Sequence, residues 1–262
     1  MRFLFQPRAV PNKTRQRADL VLLERKLAPS RAKAKALIEA GSVTADGVVV
    51  AKVSQMLALN CQIDIQTDLL DWVSRGALKL VAAFDAIPEI EVKGAICADI
   101  GASTGGFVQV LLSKDADKVY AVDVGHDQLA QRLRTHPKVV PLEGVNARTL
   151  TQNDIPEPLN IITCDVSFIS LKKALPAVIS LAEETSWLVA LIKPQFEAGR
   201  AAIGKGGVVR DPTIHEAVCA DIYNWADSEM GYDVMAIIPS PIEGPHGNIE
   251  FLMIARRRPQ AI

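Results

Sequence analysis

The sequence predicts a doubly wound α/β sheet that is preceded by a small α+β module. Beyond Pro88, short apolar strands alternate with helical segments, a pattern typical of a largely parallel sheet. One of these strands runs directly into a glycine-rich turn, DIGASTGGF, at residues 99–107. Residues 1–64 carry 11 Lys and Arg against 5 Asp and Glu, whereas the rest of the chain carries 18 against 25. A chain of 262 residues that is 49% hydrophobic therefore has room for a basic front module and a larger second domain.

The front module is predicted to contain two short helices. Residues 1–16 show no clear period and are interpreted as an N-terminal extension. From Arg17 onward, one face of a helix is indicated by three leucines spaced i, i+3 and i+7, namely Leu20, Leu23 and Leu27. Ser30 is a favourable N-cap for a second helix, and Gly41 is a natural stop after it. The inner face of this second helix is predicted to consist of Ala34, Leu37 and Ile38.

The segment that follows, SVTADGVVV, predicts a β-hairpin on Asp46-Gly47, because a type I′ turn favours residues that accept positive φ. The order RADLVLLERKL, SRAKAKALIEAGSV and hairpin resembles the S4 domain, a small RNA-binding module, over residues 17–64. One departure is Lys26, where relatives commonly have Gly. The resemblance implies that four basic side chains contact RNA phosphates: Arg17, Arg31, Lys33 and Lys35.

A linker at residues 65–71 is predicted to join this module to a second domain at 72–262. The second domain opens with an amphipathic helix whose inner face is predicted to be Leu78, Val81, Ala82 and Phe84. Its predicted strands are AICADI, KVYAVDV, NIITCDV, LVALIK, DVMAIIPS and IEFLMIA.

The glycine-rich turn indicates a site where a ligand approaches the backbone at the start of a helix. Asp123 lies 24 residues after Asp99, at the end of the next strand, where a carboxylate can accept hydrogen bonds from both hydroxyls of a ribose. Ser103 replaces the second glycine of the pyrophosphate-binding pattern, which disfavours a nicotinamide dinucleotide. A nucleoside cofactor without phosphates, S-adenosylmethionine, fits this turn better.

The same region also bears on three other chemistries. The spacing in residues 101–105 also matches the nucleophile elbow of α/β-hydrolases, with His215 and His246 downstream, but an HGGG-type oxyanion segment is missing. Methylation of an adenine amino group commonly brings Pro-Pro and an aromatic residue after the fourth strand, where this chain has CDVSF at 164–168. Carbon methylation of a pyrimidine needs a cysteine nucleophile, and Cys164 lacks the usual Pro neighbour and is expected to point into the core.

Four charged residues remain as candidates for chemistry: Lys79, Asp165, Lys193 and Glu250. A ribose hydroxyl is a poor nucleophile, so its methylation requires removal of the proton while the methyl carbon is held in line. The blocks VSRGALKL, DIGASTGGF, AVDVG, NAR, CDVSFISL, IKPQFEAGR, GKGGVVRDP and GPHGNIEFL resemble the FtsJ-like ribose 2′-O-methyltransferases over residues 72–256. From Arg17 onward the chain resembles the TlyA family of ribosomal RNA methyltransferases, historically named haemolysins. The resemblance implies a Rossmann-like methyltransferase sheet and a catalytic Lys-Asp-Lys-Glu set made of these four residues.

Within this set, Lys193 is expected to act on the 2′-hydroxyl, either as a base or by stabilising the developing alkoxide. Asp165 is expected to orient Lys193, and Glu250 to pair with Lys79 or to position the ribose. The resemblance also implies contacts to S-adenosylmethionine from Gly101, Ser103, Thr104, Gly105, Gly106, Phe107, Asp123 and Asn146. Basic residues of the segment after Lys193 are expected to line the RNA entrance: Arg200, Lys205 and Arg210.

The expected partner is ribosomal RNA or a ribosomal subunit, without an obligate protein partner. The apolar run WLVALI is far shorter than the roughly 18–20 residues of a membrane helix, and MRFLFQPR lacks the apolar core of a secretory signal. The 4 cysteines show no metal-ligand spacing. These features indicate a cytoplasmic protein without a metal site. Two alternatives stay open: a non-catalytic RNA-binding or ribosome-assembly factor, and a membrane-active haemolysin.

Overall fold

The computed structural model of the chain describes residues 15–28, 30–39, 41–65, 72–199, 202–204, 206–244 and 247–259. These residues form two compact units that divide between Trp72 and Val73. The elements of the first unit are β1 (Arg15–Arg17), α1 (Ala18–Glu24), α2 (Arg31–Glu39), β2 (Val43–Ala45), β3 (Val48–Val49), β4 (Met56–Ala58) and β5 (Ile63–Ile65). Among the described residues, β1 pairs with β4, and β2 pairs with both β3 and β5. Arg15 and Gln16, which fall within the predicted N-terminal extension, thus form part of a strand.

The turn and cap predicted for the first unit are confirmed. Asp46 and Gly47 have φ of +50° and +77°, the positive values that a type I′ turn requires between β2 and β3. The Ser30 hydroxyl accepts a hydrogen bond from the Lys33 N–H at 3.2 Å, so Ser30 caps α2. The predicted inner face of α2 is buried in the core of this unit, where Gly41 ends the helix with φ of +71°.

Helix α1 buries a different face from the predicted one. Its buried residues are Ala18, Asp19, Val21 and Leu22, whereas Leu20 and Leu23 are only partly buried. Leu27 lies beyond the helix and is 37% exposed. The helix ends at Glu24, and Lys26 follows with φ of +57°. Because a left-handed residue interrupts the 3.6-residue period, Leu27 does not continue the face on which the helix packs. Lys26 therefore has the backbone conformation that explains a preference for Gly at this position.

The second unit is built on a mixed sheet. Its elements are α3 (Ala77–Ala86), β6 (Ile96–Ile100), α4 (Gly106–Ser113), β7 (Lys118–Asp123), α5 (Gln131–Arg134), β8 (Val139–Glu143), a 3-10 turn (Ala147–Thr149), β9 (Leu159–Cys164), α6 (Leu171–Ala174), α7 (Pro176–Ile179), β10 (Ala182–Ile192), α8 (Pro194–Glu197), α9 (Pro212–Ser228), β11 (Tyr232–Pro239) and β12 (Phe251–Arg257). In the described part of the chain the strand order is β8-β7-β6-β9-β10-β12-β11, with β12 antiparallel to both neighbours and the other pairings parallel.

The predicted fold class is confirmed, and every predicted strand is present. Strand β8, which the sequence pattern does not predict, is an edge strand that pairs with β7 and contains Pro141. A proline lowers the strand signal of a segment, yet it is tolerated at a sheet edge where one side of the backbone is unpaired. The chain leaves β6 toward β7 on one side and returns to β9 on the other. This change of direction lies between β6 and β9, and it opens a crevice at their carboxyl ends.

Helix α3 also turns a different face inward from the predicted one. Its buried residues are Ala77, Lys79, Leu80, Ala83 and Phe84, while three residues of the predicted face are only partly buried: Leu78, Val81 and Ala82. A pattern of apolar residues alone does not place a lysine on the inner face of a helix. Lys79 is buried because its ammonium group pairs there with the carboxylates of Asp165 and Glu250.

Candidate active site

Four charged side chains meet at the carboxyl edge of the large sheet. Lys79 comes from α3, Asp165 follows β9, Lys193 follows β10, and Glu250 precedes β12. The Lys193 ammonium lies 2.6 Å from Oδ1 of Asp165, and the Lys79 ammonium lies 3.3 Å from Oδ2 of the same carboxylate. The Lys79 ammonium also lies 2.7 Å from Oε2 of Glu250. The structure therefore joins all four predicted catalytic side chains in one line of ion pairs, which we call the tetrad.

Three side chains of the tetrad are buried, Asp165 is partly buried, and the formal charges of the four cancel. Lys79 and Lys193 are each 8% exposed, and the side chain of Glu250 is fully buried. Burial raises the pKa of Asp165, but the positive charges of Lys193 and Lys79 outweigh this effect and hold that pKa below its ordinary value. Two ammonium groups and two carboxylates cancel, so the cluster can be kept out of water without a net charge.

A cavity of about 280 Å³ connects the tetrad to the glycine-rich turn. Its lining includes five of the predicted cofactor residues, Gly101, Ser103, Thr104, Gly106 and Phe107, together with all members of the tetrad. Gly101 has φ of +83°, and a Cβ added to it would lie 2.7 Å from the Asp165 carbonyl oxygen. Only a residue without a side chain lets the turn and the loop after β9 approach so closely.

Gly105, in contrast, lies behind the turn. It has φ of +98°, and a Cβ there would lie 2.3 Å from the Leu133 side chain, so this glycine serves the packing of the start of α4 rather than the cavity wall. The structure thus separates one predicted cofactor residue from the others in the turn.

Asp123 and Asn146 line a second, mostly apolar hollow of about 90 Å³. The Asp123 carboxylate accepts hydrogen bonds from the N–H groups of Ser103 and Gly125, each at 2.7 Å. The Asn146 side chain caps the 3-10 turn through the Arg148 N–H at 3.1 Å. Gly101 lines both this hollow and the cavity of the tetrad, and so does Ser167. The two hollows therefore share one wall, made of Gly101 and Ser167.

Sequence reasoning missed three residues of this region. Ser167 accepts a hydrogen bond from the Lys193 ammonium at 3.0 Å. Phe168 is 90% exposed, has φ of +66°, and its ring centroid lies 5.1 Å from that of Phe196. Asp99 accepts a hydrogen bond from the Thr163 hydroxyl at 2.8 Å, and burial raises its pKa to about 7. Ser167 and Phe168 stand in the quoted CDVSFISL block, but loop residues have no period that predicts where their side chains point.

Among the described residues, no geometry matches the alternative chemistries; His246, one of the two downstream histidines of the hydrolase alternative, lies outside them. Ser103, the residue at the elbow position, contacts the Gln128 side chain, and His215 is buried against the Val209 carbonyl. Cys164 is buried as expected, and burial raises the pKa of its thiol. In the ranges that the structure describes, no group of three or more His, Cys, Asp or Glu is placed to hold a metal ion, and none of the helices there is long and apolar enough to cross a membrane.

The predicted RNA-contacting residues are spread over both units. Arg17 and Arg31 both pair with Asp19, and Lys33 and Lys35 are exposed on α2. Arg210, in the second unit, is exposed as well. The remaining two of the set, Arg200 and Lys205, lie outside the described residues.

Comparison with known proteins gives matches to both units. The profile of the FtsJ-like methyltransferases matches residues 72–257, and that of the S4 domain matches residues 16–62. The 16S/23S rRNA (cytidine-2′-O)-methyltransferase TlyA of Mycobacterium tuberculosis is 43% identical over 92% of this chain and 90% of its own length. Hemolysin A of Brachyspira hyodysenteriae is 40% identical over 85% of this chain and 92% of its own. Among solved structures, a hemolysin-named chain from Streptococcus thermophilus is 38% identical, with a TM-score of 0.71 over 94% of this chain and 89% of that one. The family resemblance predicted from the sequence blocks is confirmed.

Proposed function

The chain belongs to the FtsJ-like methyltransferase family, and from that premise we propose that it transfers the methyl group of S-adenosylmethionine to a ribose 2′-hydroxyl of ribosomal RNA. The observation that carries the proposal is the tetrad, because its two ammonium groups and two carboxylates share one cavity with the glycine-rich turn. The S4 match and the name of the Mycobacterium relative support ribosomal RNA as the substrate. We therefore place the protein in the cytoplasm, where ribosomal RNA is found.

The residues of the turn fit S-adenosylmethionine, which when bound supplies an electrophilic methyl carbon on a sulfonium. The absence of a side chain at Gly101 leaves room against the backbone after β9. Each oxygen of the Asp123 carboxylate accepts one N–H and keeps acceptor capacity for a ribose hydroxyl. We assign the cofactor contacts accordingly to the turn, to Asp123 and to Asn146.

Lys193 is proposed to act on the target hydroxyl. Asp165 and Ser167 hold its ammonium from two sides, at 2.6 Å and 3.0 Å, so that it has one fixed place in the cavity wall. A donor held in this way stabilises the negative charge that develops on the ribose oxygen without having to reorganise. Asp165 fixes Lys79 with its other oxygen, and Lys79 in turn fixes Glu250.

Glu250 is proposed to position the ribose. Its Oε1 is buried and has no hydrogen-bond partner among the described residues, although Oε2 pairs with Lys79. A buried carboxylate oxygen normally has a partner, because leaving it without one costs about 1–3 kcal/mol or more. A hydroxyl of the bound ribose supplies that hydrogen bond when the substrate enters.

The aromatic pair of the exposed Phe168 and the partly buried Phe196 favours a nucleotide whose base is taken out of its stack. Phe168 follows Asp165 by three residues, and Phe196 follows Lys193 by three, so each of the two is close in the chain to a member of the tetrad. Unpaired bases stack on such side chains, with about 1–3 kcal/mol per base. A base held on this surface would direct its own ribose toward Lys193.

The experiment is a methyl-transfer assay with labelled S-adenosylmethionine on isolated ribosomal subunits, followed by mapping of methylated riboses. Lys193→Ala is expected to abolish transfer and to keep the affinity for S-adenosylmethionine measured by calorimetry. Lys172→Ala is the matched control, because Lys172 is partly exposed and pairs with Asp221 on the surface. Full turnover by Lys193→Ala would refute the assignment. Mapping also shows whether the modified nucleotide is a cytidine, as the name of the Mycobacterium relative states for that protein.

A second activity deserves a direct test because two of the matched proteins carry a hemolysin name. Purified protein is expected to leave red cells intact at concentrations that fully methylate subunits. Lysis that survives Lys193→Ala would show an activity independent of methyl transfer.

A further inference from the structure

Asp19 is a buried carboxylate that holds two exposed arginines of the first unit. Its side chain is 4% exposed, whereas those of Arg17 and Arg31 are 44% and 62% exposed. Arg17 donates from Nε to Oδ1 at 3.0 Å and from Nη2 to Oδ2 at 3.2 Å. Arg31 donates from Nη2 to Oδ2 at 3.1 Å. One carboxylate therefore fixes two guanidinium groups that come from different elements, β1 and α2.

The arrangement leaves most of the donors of both arginines available. A guanidinium has five N–H groups. Arg17 donates two of them to Asp19, and Arg31 donates one. Three N–H groups of Arg17 and four of Arg31 are therefore not used by this carboxylate. Arg31 is also the first residue of α2, so its side chain leaves the chain where the helix dipole is positive. Two planar, positively charged guanidinium groups that are held by the same carboxylate suit the non-bridging oxygens of a phosphodiester.

Other basic residues of the unit are held differently. The Arg25 guanidinium donates to the backbone carbonyls of Cys61 and Leu59, which places it in the fold of the unit. Lys35 pairs with Glu39 at 3.7 Å, and both of those side chains are more than half exposed. Among these basic residues, Arg17 and Arg31 share a buried anchor and present exposed heads.

We propose that Asp19 is a positioning residue that sets Arg17 and Arg31 as one phosphate-binding fork for RNA. The inference rests on the proposed function, in which ribosomal RNA is the substrate. Two arginines and one aspartate carry a net charge of +1, and neutralising Asp19 raises it to +2. Simple electrostatics then predicts that loss of Asp19 strengthens RNA binding, whereas a positioning role predicts that it weakens binding. The two explanations thus differ in sign.

The test measures binding of the full chain to purified ribosomal RNA by filter retention, over about 50 to 200 mM salt. Asp19→Asn keeps the size of the side chain and removes its charge. It is expected to weaken RNA binding about tenfold, which corresponds to the loss of roughly one charge-assisted hydrogen bond to phosphate. The slope of log K against log salt is negative, and its magnitude is expected to decrease by about one. Glu39→Gln is the matched control, because it removes one negative charge beside a lysine of the same surface without touching the fork.

Two further variants keep the result decisive. In an Arg17→Ala, Arg31→Ala background, Asp19→Asn is expected to change RNA affinity no further, because the residue acts through those arginines. If Asp19→Asn fails to fold, Arg17→Lys with Arg31→Lys retains both charges and loses the fork, and the same tenfold loss is expected. Binding by Asp19→Asn, or by the double lysine variant, that is as tight as that of the natural chain overturns the inference alone. A natural chain that fails to retain ribosomal RNA overturns both the inference and the proposed function.

Discussion

Replacing Lys79 by methionine tests whether the tetrad is one coupled unit. Methionine has a similar length and no charge, so Lys79→Met leaves Glu250 without a cation while Asp165 keeps Lys193. Among the described residues, Lys79 is the one ion-pair partner of Glu250, whose side chain is fully buried. The variant therefore places an uncompensated negative charge in the interior.

The size of the effect follows from distance and burial. At 2.7 Å the attraction between Lys79 and Glu250 is about 6 kcal/mol for an effective dielectric constant near 20, and desolvation of both groups offsets much of it. Removing one partner of such a buried pair costs about 3–5 kcal/mol, because the remaining charge stays desolvated. For a domain of this size, each kcal/mol lowers the melting temperature by roughly 2–4 °C, so a decrease on the order of 10 °C is expected.

The assay is denaturant unfolding of the full chain combined with methyl transfer. Lys79→Met, Glu250→Gln and the double variant form a cycle, and the double variant is expected to regain most of the lost stability because no unpaired charge remains. Methyl transfer is expected to be lost in the double variant as well. Lys172→Met removes a partly exposed lysine and is expected to cost within about 1 kcal/mol. Effects of the two single variants that simply add up would refute the coupling, and so would a Lys79→Met protein as stable as the control.

Three further predictions concern the cofactor turn, the aromatic pair and the buried carboxyl group beside them. Gly101→Ala is expected to lower both stability and the calorimetric affinity for S-adenosylmethionine, because residue 101 has positive φ and the new Cβ would lie 2.7 Å from the Asp165 carbonyl oxygen. Gly94→Ala is the control, because Gly94 also has positive φ but a Cβ there would meet nothing within 4 Å, and this variant is expected to keep that affinity. Phe168→Ala is expected to lower kcat/KM for subunits about tenfold or more and to leave cofactor affinity unchanged. Burial raises the pKa of Asp99 to about 7, so between about pH 4 and pH 7 the folded chain keeps a proton that the unfolded chain has lost. The free energy of unfolding is therefore expected to fall by about 4 kcal/mol as the pH rises from about 4 to about 7. Asp99→Asn is expected to flatten this pH dependence, which denaturant unfolding at several pH values measures.

Local features of the fold could be predicted where the signal is a backbone requirement. Asp46 and Gly47 both adopt positive φ, and Ser30 caps α2, because these outcomes depend on a few neighbouring residues. The inner faces of α1 and α3 could not be predicted in the same way. They depend on where a helix ends and on which polar partners lie opposite, and Lys79 is buried because of a carboxylate 171 residues away in the chain.

In the candidate site, too, the sequence indicates which residues take part, whereas their spatial arrangement requires the structure. Membership of the tetrad followed from sequence blocks that resemble a family, whereas the order of its ion pairs required coordinates. The sequence could not separate Arg25, which donates to backbone carbonyls, from Arg17, whose head is partly exposed. Basic residues look alike in a sequence, and the acceptors that surround them decide whether they hold the fold or face a ligand.

Asp165 explains why the cofactor turn and the lysines must be built together. Its N–H donates to the Ile100 carbonyl at 2.9 Å, and its own carbonyl lies where a side chain on Gly101 would have to go. Its carboxylate meanwhile holds Lys193 and Lys79, one on each oxygen. One residue thus links the glycine-rich turn through its backbone and the two lysines through its side chain, at the ends of the paired strands β6 and β9. In the proposed mechanism this link fixes how far the methyl donor lies from Lys193, and a displacement of about 1 Å can cost a factor of about 100 in rate.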